Sequence, residues 1–270
     1  SIATMREAMK ACHAKGVENV VMTMWGDNGA ECSKFAVLPA LFMVAQMARG
    51  IDDEETIHAN FEKEFGIPFE DFRALDLAGT QNDSAEAIYN PEKYLLYCDP
   101  FMGQFDNRVK SGDAAGYADC AARLAVYADH AEYGYLFRSL RALCAFLSVK
   151  ADLGIRTRAA YLSGDKKAAK ALCTDYDAAL ERLDAFYTAY EQQWMHENKP
   201  QGFDVVDLRI GGQRQRLLHC RDRLLAYAEG RLDRIEELEE PVLDCCCEEK
   251  ADGQATRAIF WHEIASANVI

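Results

Sequence analysis

The sequence predicts a mainly helical protein in which one α-β-α unit precedes a helical domain. Helix-spaced apolar residues recur over most of the chain after residue 50. A convincing strand pattern occurs once before the last few residues, as "NVVMTMW" at 19–25, and it lies between two helical patterns. A helix followed by a continuously apolar strand is the unit of parallel sheets. We therefore expect residues 1–50 to be the last part of a parallel-sheet domain whose other strands precede them.

The first fifty residues supply the elements of this unit. Residues 3–15 repeat apolar positions at helical spacing, and Gly16 is a natural end for that helix. After the strand, Ser33 is an expected N-cap for the helix "FAVLPALFMVAQMA". Pro39 is expected in the first turn of that helix or at a kink within it.

Residues 51–244 are predicted to form a helical domain. The segment "DDEETIHANFEKEFG" has acidic residues in its first turn, which favours a helix. Between 165 and 196, apolar residues at steps of three and four predict one buried helix face. The members of this stripe are Leu172, Tyr176, Leu180, Leu183, Phe186, Tyr190 and Trp194.

The end of the helical domain carries two interruptions. The segment 198–212 is predicted as an insert between two helices, with Asp204, Asp207 and Arg209 forming ion pairs within it rather than a second site. The next helix is predicted to tolerate Gly230 and to end at Pro241. Residues 245–270 are expected to be a tail that docks on the body as a helix, a strand or both.

Composition and charge exclude several classes of function. The 270 residues carry a net charge of −14, which argues against nucleic acid and anionic membrane surfaces as partners. There is no run of about 18 apolar residues that could span a bilayer. The N-terminus lacks an initiator Met and an apolar signal core, which fits a chain cut from something longer.

The cysteines and histidines do not predict a metal site. Seven of the ten cysteines are scattered, and most of these lie on apolar stripes, whereas the adjacent Cys245, Cys246 and Cys247 would point in different directions. This usage favours a reducing cytoplasm over a secreted, disulfide-linked fold. The six histidines show no paired metal spacing, so we expect surface or core roles for them.

The loop "MTMWGDNGAECSKF" at 22–35 is the strongest candidate for a functional site. An aromatic ring can stack on the apolar face of a sugar, a carboxylate can accept hydrogen bonds from hydroxyls, and glycines allow close approach. Trp25, Asp27 and Glu31 are therefore candidate substrate-binding residues. Alternatively, Trp25 closes the core, Asp27 forms a turn and Glu31 complements the following helix dipole.

Three segments resemble one protein family. Trp25-Gly26-Asp27, with Glu31 close behind, resembles the last-strand motif of family 20 glycoside hydrolases, the β-N-acetylhexosaminidases. "ENKPQGFDVVDLRIGG" followed by "QRLLHCRDRL", and the closing "WHEIASANVI", resemble the helical domain that follows the barrel in one branch of that family. The resemblance covers nearly the whole chain. It implies a fold that contains the last α-β-α portion of a (β/α)8 barrel and a C-terminal helical domain.

The resemblance also implies roles for the loop residues. The tryptophan at the position of Trp25 forms part of the wall around the N-acetyl group of the sugar. The acidic residue at the position of Asp27 accepts hydrogen bonds from outer sugar hydroxyls. Family members more commonly have Glu there, so Asp27, Glu31 or both are expected to make this contact.

The catalytic pair of the family is not expected in this chain. Family members use an adjacent Asp-Glu pair on a mid-barrel strand, which orients the substrate's acetamido group and supplies the acid. Here the one Asp-Glu dipeptide, Asp53-Glu54, lies at a helix start, where it is expected to cap the helix and complement its dipole. We expect no catalytic residue in the chain.

The expected function is thus the C-terminal portion of a glycosidase that removes terminal β-linked N-acetylhexosamine, without metal or organic cofactor. Its expected partners are N-acetylhexosamine-terminated glycans and an upstream barrel domain. The helical domain is expected to brace the barrel, shape the mouth of the active site or mediate homodimerisation. The alternative is a non-catalytic helical interaction or dimerisation module.

Overall fold

The structure is a computed structural model that describes residues 2–24, 31, 33–81, 91–242, 244–246 and 255–257. Its described part is mainly helical, as the sequence predicts. The α-helices are α1 Ile2–Ala14, α2 Leu38–Ala48, α3 Glu54–Phe65, α4 Phe69–Phe72, α5 Leu77–Thr80, α6 Pro91–Tyr97, α7 Asp113–Leu124, α8 Gly134–Lys150, α9 Leu153–Leu162, α10 Lys166–Glu197 and α11 Phe203–Ala228. Short 3-10 helices cover Lys34–Val37, Arg73–Asp76, Asp106–Arg108, Ala125–Tyr127 and Glu236–Leu238.

The chain divides into two compact units, residues 1–77 and 78–270. The predicted boundary at residue 50 marks the end of a barrel, and it stays a prediction. The compact division falls later because α2, α3 and α4 share one aromatic core within the first unit. The rings of this core meet mostly edge to face, at centroid distances of 4.3–6.3 Å, and they belong to Phe42, Phe61, Phe65, Phe69 and Phe72.

The second unit is built on α8, α10 and α11. Helix α8 packs against α7 on one side and α10 on another, and α10 packs along α11. The predicted stripe of α10 is confirmed as core from Leu172 to Tyr190, while Trp194 is half-buried beside the end of the helix. Tyr176, Leu183 and Phe186 are completely buried.

The predicted strand at 19–25 is not formed over its described part, because residues 19–24 are neither strand nor helix. A parallel strand needs neighbouring strands to bond its main-chain groups, and no other strand of the described residues lies in the first unit. The apolar side chains of this segment are consequently exposed, with Val21 84% exposed and Met24 55%.

Two further boundaries differ from the predictions. The predicted insert 198–212 is mostly helix, because α11 begins at Phe203 and runs through Gly211 and Gly212. Asp204 and Asp207 therefore lie on a helix rather than in an ion-paired loop. Gly230 is not a tolerated helix position, since α11 ends at Ala228 and Gly230 adopts a left-handed conformation with φ +74° that stops it.

The tail forms a small parallel pair of strands, β1 Asp244–Cys246 and β2 Ala255–Arg257, with Asp244 opposite Ala255. The closing segment predicted to dock on the body lies outside the described residues, so its docking stays a prediction. No helix in the described ranges is both long and apolar enough to cross a membrane.

Candidate functional site

The predicted sugar-binding loop is described at one position. Trp25 and Asp27 lie outside the described residues, so the structure does not place them. Glu31 is half-buried in a bend, two residues before Ser33. Ser33 Oγ accepts a hydrogen bond from Phe35 N at 3.0 Å, so the predicted cap forms on the 3-10 helix Lys34–Val37 that leads into α2 rather than on α2 itself. Glu31 thus precedes a helix start, where its charge is favourable, and its sugar contact stays a prediction.

The dipeptide Asp53-Glu54 has the capping geometry that the sequence predicts. Asp53 Oδ2 accepts hydrogen bonds from Thr56 Oγ1 at 2.6 Å and from Thr56 N at 2.8 Å. These two hydrogen bonds lower the pKa of Asp53. Glu54, in the first turn of α3, lies 3.3 Å from the guanidinium of Arg6. Both carboxylates therefore stabilise the start of α3.

The histidine with the most acidic surroundings in the first unit is His58. Its Nε2 lies 3.7 Å from Glu54 Oε1 and 3.9 Å from Glu70 Oε1, and its ring stacks on Phe69. Glu70 is also paired with Arg73 at 2.6 Å, so its charge is already matched. Within the described ranges, no group of three or more His, Cys, Asp and Glu side chains is arranged to hold a metal.

Among the described residues of the second unit, a group of interacting polar side chains surrounds the loop 98–105, which follows α6. We call this site the buried polar cluster, and it consists of Cys98, Asp99, Asp106, Lys150, Arg158 and Arg216. Its side chains come from the loop, the start of the 3-10 helix Asp106–Arg108, the end of α8, and the middles of α9 and α11. Because charges inside a protein must be paired or hydrogen-bonded, the contacts of these side chains define what the site can do.

Lys150 is 2% exposed and ends α8. Its Nζ donates to Leu95 O at 2.8 Å, to Cys98 O at 2.7 Å and to Cys98 Sγ at 3.1 Å. The ammonium thereby caps carbonyls at the C-terminal end of α6. Burial raises the pKa of the Cys98 thiol, although the charge of Lys150 opposes that shift.

Asp99 and Arg216 form the central ion pair of the cluster. Asp99 Oδ1 accepts from Phe101 N at 2.8 Å and from Met102 N at 3.2 Å, which fixes the turn of the loop. Arg216 donates to both oxygens of Asp99, at 2.5 and 3.2 Å, and to Glu237 Oε1 at 2.5 Å. Its guanidinium carbon also lies 5.5 Å from the centroid of the Phe101 ring.

Arg158 connects the loop to the segment after α11. It donates to Phe101 O at 2.5 Å, to Leu238 O at 2.6 Å and to Glu240 O at 3.1 Å. These three acceptors are main-chain carbonyls, so the contact fixes the path of the chain rather than a particular side chain.

Asp106 is the carboxylate of the cluster that titrates near neutrality. Burial raises its pKa to about 6, and the charges of Lys150 and Arg158 oppose the shift. Gly103 packs beside it with φ +68°, and a Cβ atom at Gly103 would lie 2.6 Å from Asp106 Oδ2. The left-handed backbone and the nearby carboxylate therefore favour glycine at this position.

The cluster can fix a loop but shows no catalytic pair. Its cations donate mainly to carbonyls and carboxylates of the same unit, so they stabilise the path of the chain around 98–105. Sequence reasoning missed this cluster because its partners lie far apart in the chain, with a sequence separation of 52 for Lys150 and Cys98 and of 117 for Arg216 and Asp99. A weak signal was present, because Lys150 ends an otherwise apolar helix stripe.

The comparisons with known proteins agree with the helical character of the second unit. The family model described as Glycoside Hydrolase 20C C-terminal domain matches residues 68–257, which is well over half of the chain. No curated protein matches the chain. The match includes the whole buried polar cluster, whereas Trp25, Asp27 and Glu31 precede it.

Proposed function

The chain belongs to the glycoside hydrolase 20C C-terminal domain family, and we propose that it is the C-terminal portion of a β-N-acetylhexosaminidase. The parent enzyme removes terminal β-linked N-acetylglucosamine or N-acetylgalactosamine from glycans by substrate-assisted hydrolysis. The observation that carries the proposal is the family match over 68–257, preceded in the same chain by the Trp25-Gly26-Asp27 motif.

In this proposal the substrate-binding residues of the chain are Trp25, Asp27 and Glu31. Trp25 stacks against the sugar and surrounds its N-acetyl group, and Asp27, Glu31 or both accept hydrogen bonds from its hydroxyls. Val21 and Met24 are exposed, whereas the apolar side chains of a barrel strand are covered by the other elements of the barrel. Their exposure therefore supports the proposal that a barrel packs on this segment.

The acid and the group that orients the acetamide belong to an Asp-Glu pair outside this chain. The capping geometry of Asp53 supports this assignment, since its Oδ2 already accepts two hydrogen bonds from Thr56. The reaction needs no metal or organic cofactor, because the substrate's own acetamido oxygen is the nucleophile. The chain alone is therefore proposed to be inactive.

The helical domain braces the barrel, shapes the mouth of the active site or joins two copies of the enzyme. The buried polar cluster supports a bracing role, because it fixes the loop after α6 from three different helices. The described free thiols of Cys12, Cys98, Cys120, Cys144, Cys173 and Cys220 support a reducing compartment, and we assign the enzyme to the cytoplasm on that basis.

The experiment that tests the proposal compares two proteins on a chromogenic N-acetyl-β-glucosaminide. One is this chain, and the other is extended upstream to a complete barrel. Turnover by the extended protein alone is the expected result. Activity of the short chain would return Asp53-Glu54 to consideration as the catalytic pair.

A second candidate function is a non-catalytic helical interaction or dimerisation module. It is favoured by exposed apolar side chains on the last turn of α10 and the first turns of α11, where Leu208 is 77% exposed and Met195 and Val205 are each 43% exposed. This function predicts that neither protein hydrolyses the sugar and that Leu208→Asp abolishes self-association.

A further inference from the structure

Cys98 and Lys150 form a thiol–amine pair that the proposed function does not use. Their Sγ and Nζ atoms are 3.1 Å apart, and the residues are 7% and 2% exposed. The amine cannot swing away easily, because the carbonyls of Leu95 and Cys98 hold it at 2.8 and 2.7 Å. The pair joins the end of α6 to the end of α8 across 52 residues of sequence.

We propose that this pair is an oxidative modification site, at which hydrogen peroxide joins Cys98 to Lys150 through one oxygen atom as Sγ–O–Nζ. A single oxygen atom spans sulfur and nitrogen atoms that already touch, so the bridge requires only a small shift of two side chains. The fixed position of the amine favours this product over other fates of an oxidised cysteine, because the nitrogen is in contact with the sulfur when oxidation occurs.

The reaction consumes two molecules of peroxide. In the first step Sγ attacks one peroxide oxygen, the O–O bond breaks, and the thiol becomes a sulfenic acid while one water leaves. In the second step the ammonium of Lys150 first gives up one proton to the alkaline solvent, and its nitrogen then attacks another peroxide, giving a hydroxylamine and a second water. The hydroxylamine oxygen then displaces the sulfenic hydroxyl, which leaves as a third water with the hydroxylamine proton. Sulfur and nitrogen are each oxidised by two electrons, and both peroxides are reduced.

The bridge would change the contacts that hold the loop. The nitrogen keeps one N–H, so it can no longer donate to both Leu95 O and Cys98 O. In exchange, a covalent link ties the loop 98–105 to α8. Since burial raises the pKa of the Cys98 thiol, we expect the link to form slowly compared with the oxidation of an exposed thiol.

The test is peptide mapping of the whole chain after treatment with hydrogen peroxide at mildly alkaline pH. Trypsin digestion without reductant should join peptides 94–108 and 142–156, with cleavage after Lys150 lost. The joined peptides should gain about 14 Da over their sum, since one oxygen is added and two hydrogens are lost. Dithiothreitol should separate the joined peptides, because its thiol attacks Sγ and breaks the S–O bond. Peptide 94–108 then returns at its original mass, and the lysine peptide keeps the bridging oxygen as a hydroxylamine, with a gain of about 16 Da.

Three variants make the assignment specific. Cys98→Ser removes the sulfur, and Lys150→Arg keeps the charge but removes the amine, so both should abolish the joined species. Cys220→Ser changes another buried cysteine, on α11, and should leave the joined species unchanged. The Cys98→Ser variant also excludes Cys144, which lies on the same tryptic peptide as Lys150.

Peptide mapping of the unmodified chain tests the proposed bridge even if a variant fails to fold. Conversion of Cys98 to sulfinic acid, with a gain of about 32 Da on peptide 94–108 and normal cleavage after Lys150, would overturn the proposal. An unchanged Cys98 thiol after prolonged peroxide treatment would overturn it as well. Neither result bears on the hydrolysis of a glucosaminide, so this proposal and the proposed function fail independently.

Discussion

Arg216 on α11 and Asp99 in the loop after α6 are joined by two hydrogen bonds across 117 residues of sequence. The side chain of Asp99 is 6% exposed, whereas that of Arg216 is 25% exposed. Removing the arginine would leave a buried carboxylate without its cation, which is more costly than the loss of the attraction alone.

We therefore expect Arg216→Met to destabilise the chain by about 3 kcal/mol, as for other broken buried pairs. The matched control is Arg214→Met, since Arg214 pairs with the exposed Asp184 at 2.7 Å. That change should cost less than about 1 kcal/mol. Urea unfolding followed by circular dichroism measures both values, and equal losses for the two variants would contradict the buried-pair account.

Lys150→Met should also be strongly destabilising, by about 2–4 kcal/mol, because it leaves buried carbonyl acceptors of Leu95 and Cys98 without their donor. The methionine fills a similar volume, so the loss isolates the polar contacts. Lys170→Met is the control, since Lys170 is exposed and pairs with Glu229 at the surface. In thermal melts, Lys150→Met should have a melting temperature clearly below that of the unmodified chain, whereas Lys170→Met should match the unmodified chain.

Asp106 should make stability fall as pH rises from about 4 to about 6. Burial raises its pKa in the folded state to about 6, above the ordinary value of 3.8. In this window the folded state keeps a proton that the unfolded chain has released. The free energy of unfolding is therefore highest at the acidic end of the window and falls as the pH rises to about 6.

Asp106→Asn should remove that slope and raise stability at neutral pH, by on the order of 2 kcal/mol. The comparison is made by urea unfolding at several pH values between about 4 and 7. A variant that keeps the full slope of the unmodified chain would show that another group is responsible.

Asp53→Ala should lower the melting temperature, because Thr56 N loses its acceptor at the start of α3. Asp53→Ser should restore most of the loss, since serine is also a good N-cap. In the extended enzyme, neither change should alter hydrolysis of the glucosaminide at a temperature where both variants are folded. A large loss of kcat with an unchanged melting temperature would instead indicate a catalytic role.

The proposed sugar contacts are tested by substitution in the extended enzyme. Trp25→Ala should lower kcat/KM by roughly 10- to 100-fold, the size of losing an apolar stacking surface. Asp27→Asn and Glu31→Gln show which carboxylate accepts hydrogen bonds from the sugar hydroxyls. The substitution of a carboxylate that does so should lower kcat/KM by about tenfold. Glu18→Gln, at an exposed residue of the same segment, is the control. If Glu31 only complements a helix dipole, its change will alter stability and leave kcat/KM unaffected.

The helices of this chain could be predicted because their signals are local. The spacing from Leu172 to Tyr190 identifies the buried face of α10 without any knowledge of its neighbours. The caps at Ser33 and Asp53 were likewise predictable, because each acts on a residue two or three positions away.

The errors arose where context decides the conformation. Gly211 and Gly212 favoured a loop, but the flanking helix continues through them because helical packing outweighs their low propensity. The strand at 19–25 needs neighbours that the described residues do not supply. The buried polar cluster depends on long-range pairs, such as Arg216 with Asp99, that no local pattern reveals.

The sequence separation within the buried polar cluster also has a consequence for the order of folding. Helices α10 and α11 are neighbours in the chain, so their pairing closes only a short connection. The contact between Asp99 and Arg216 closes a loop of more than a hundred residues, whose entropic cost is met only after the helices have assembled. We therefore expect the cluster to form late in folding, so that its strength changes the rate of unfolding more than the rate of folding.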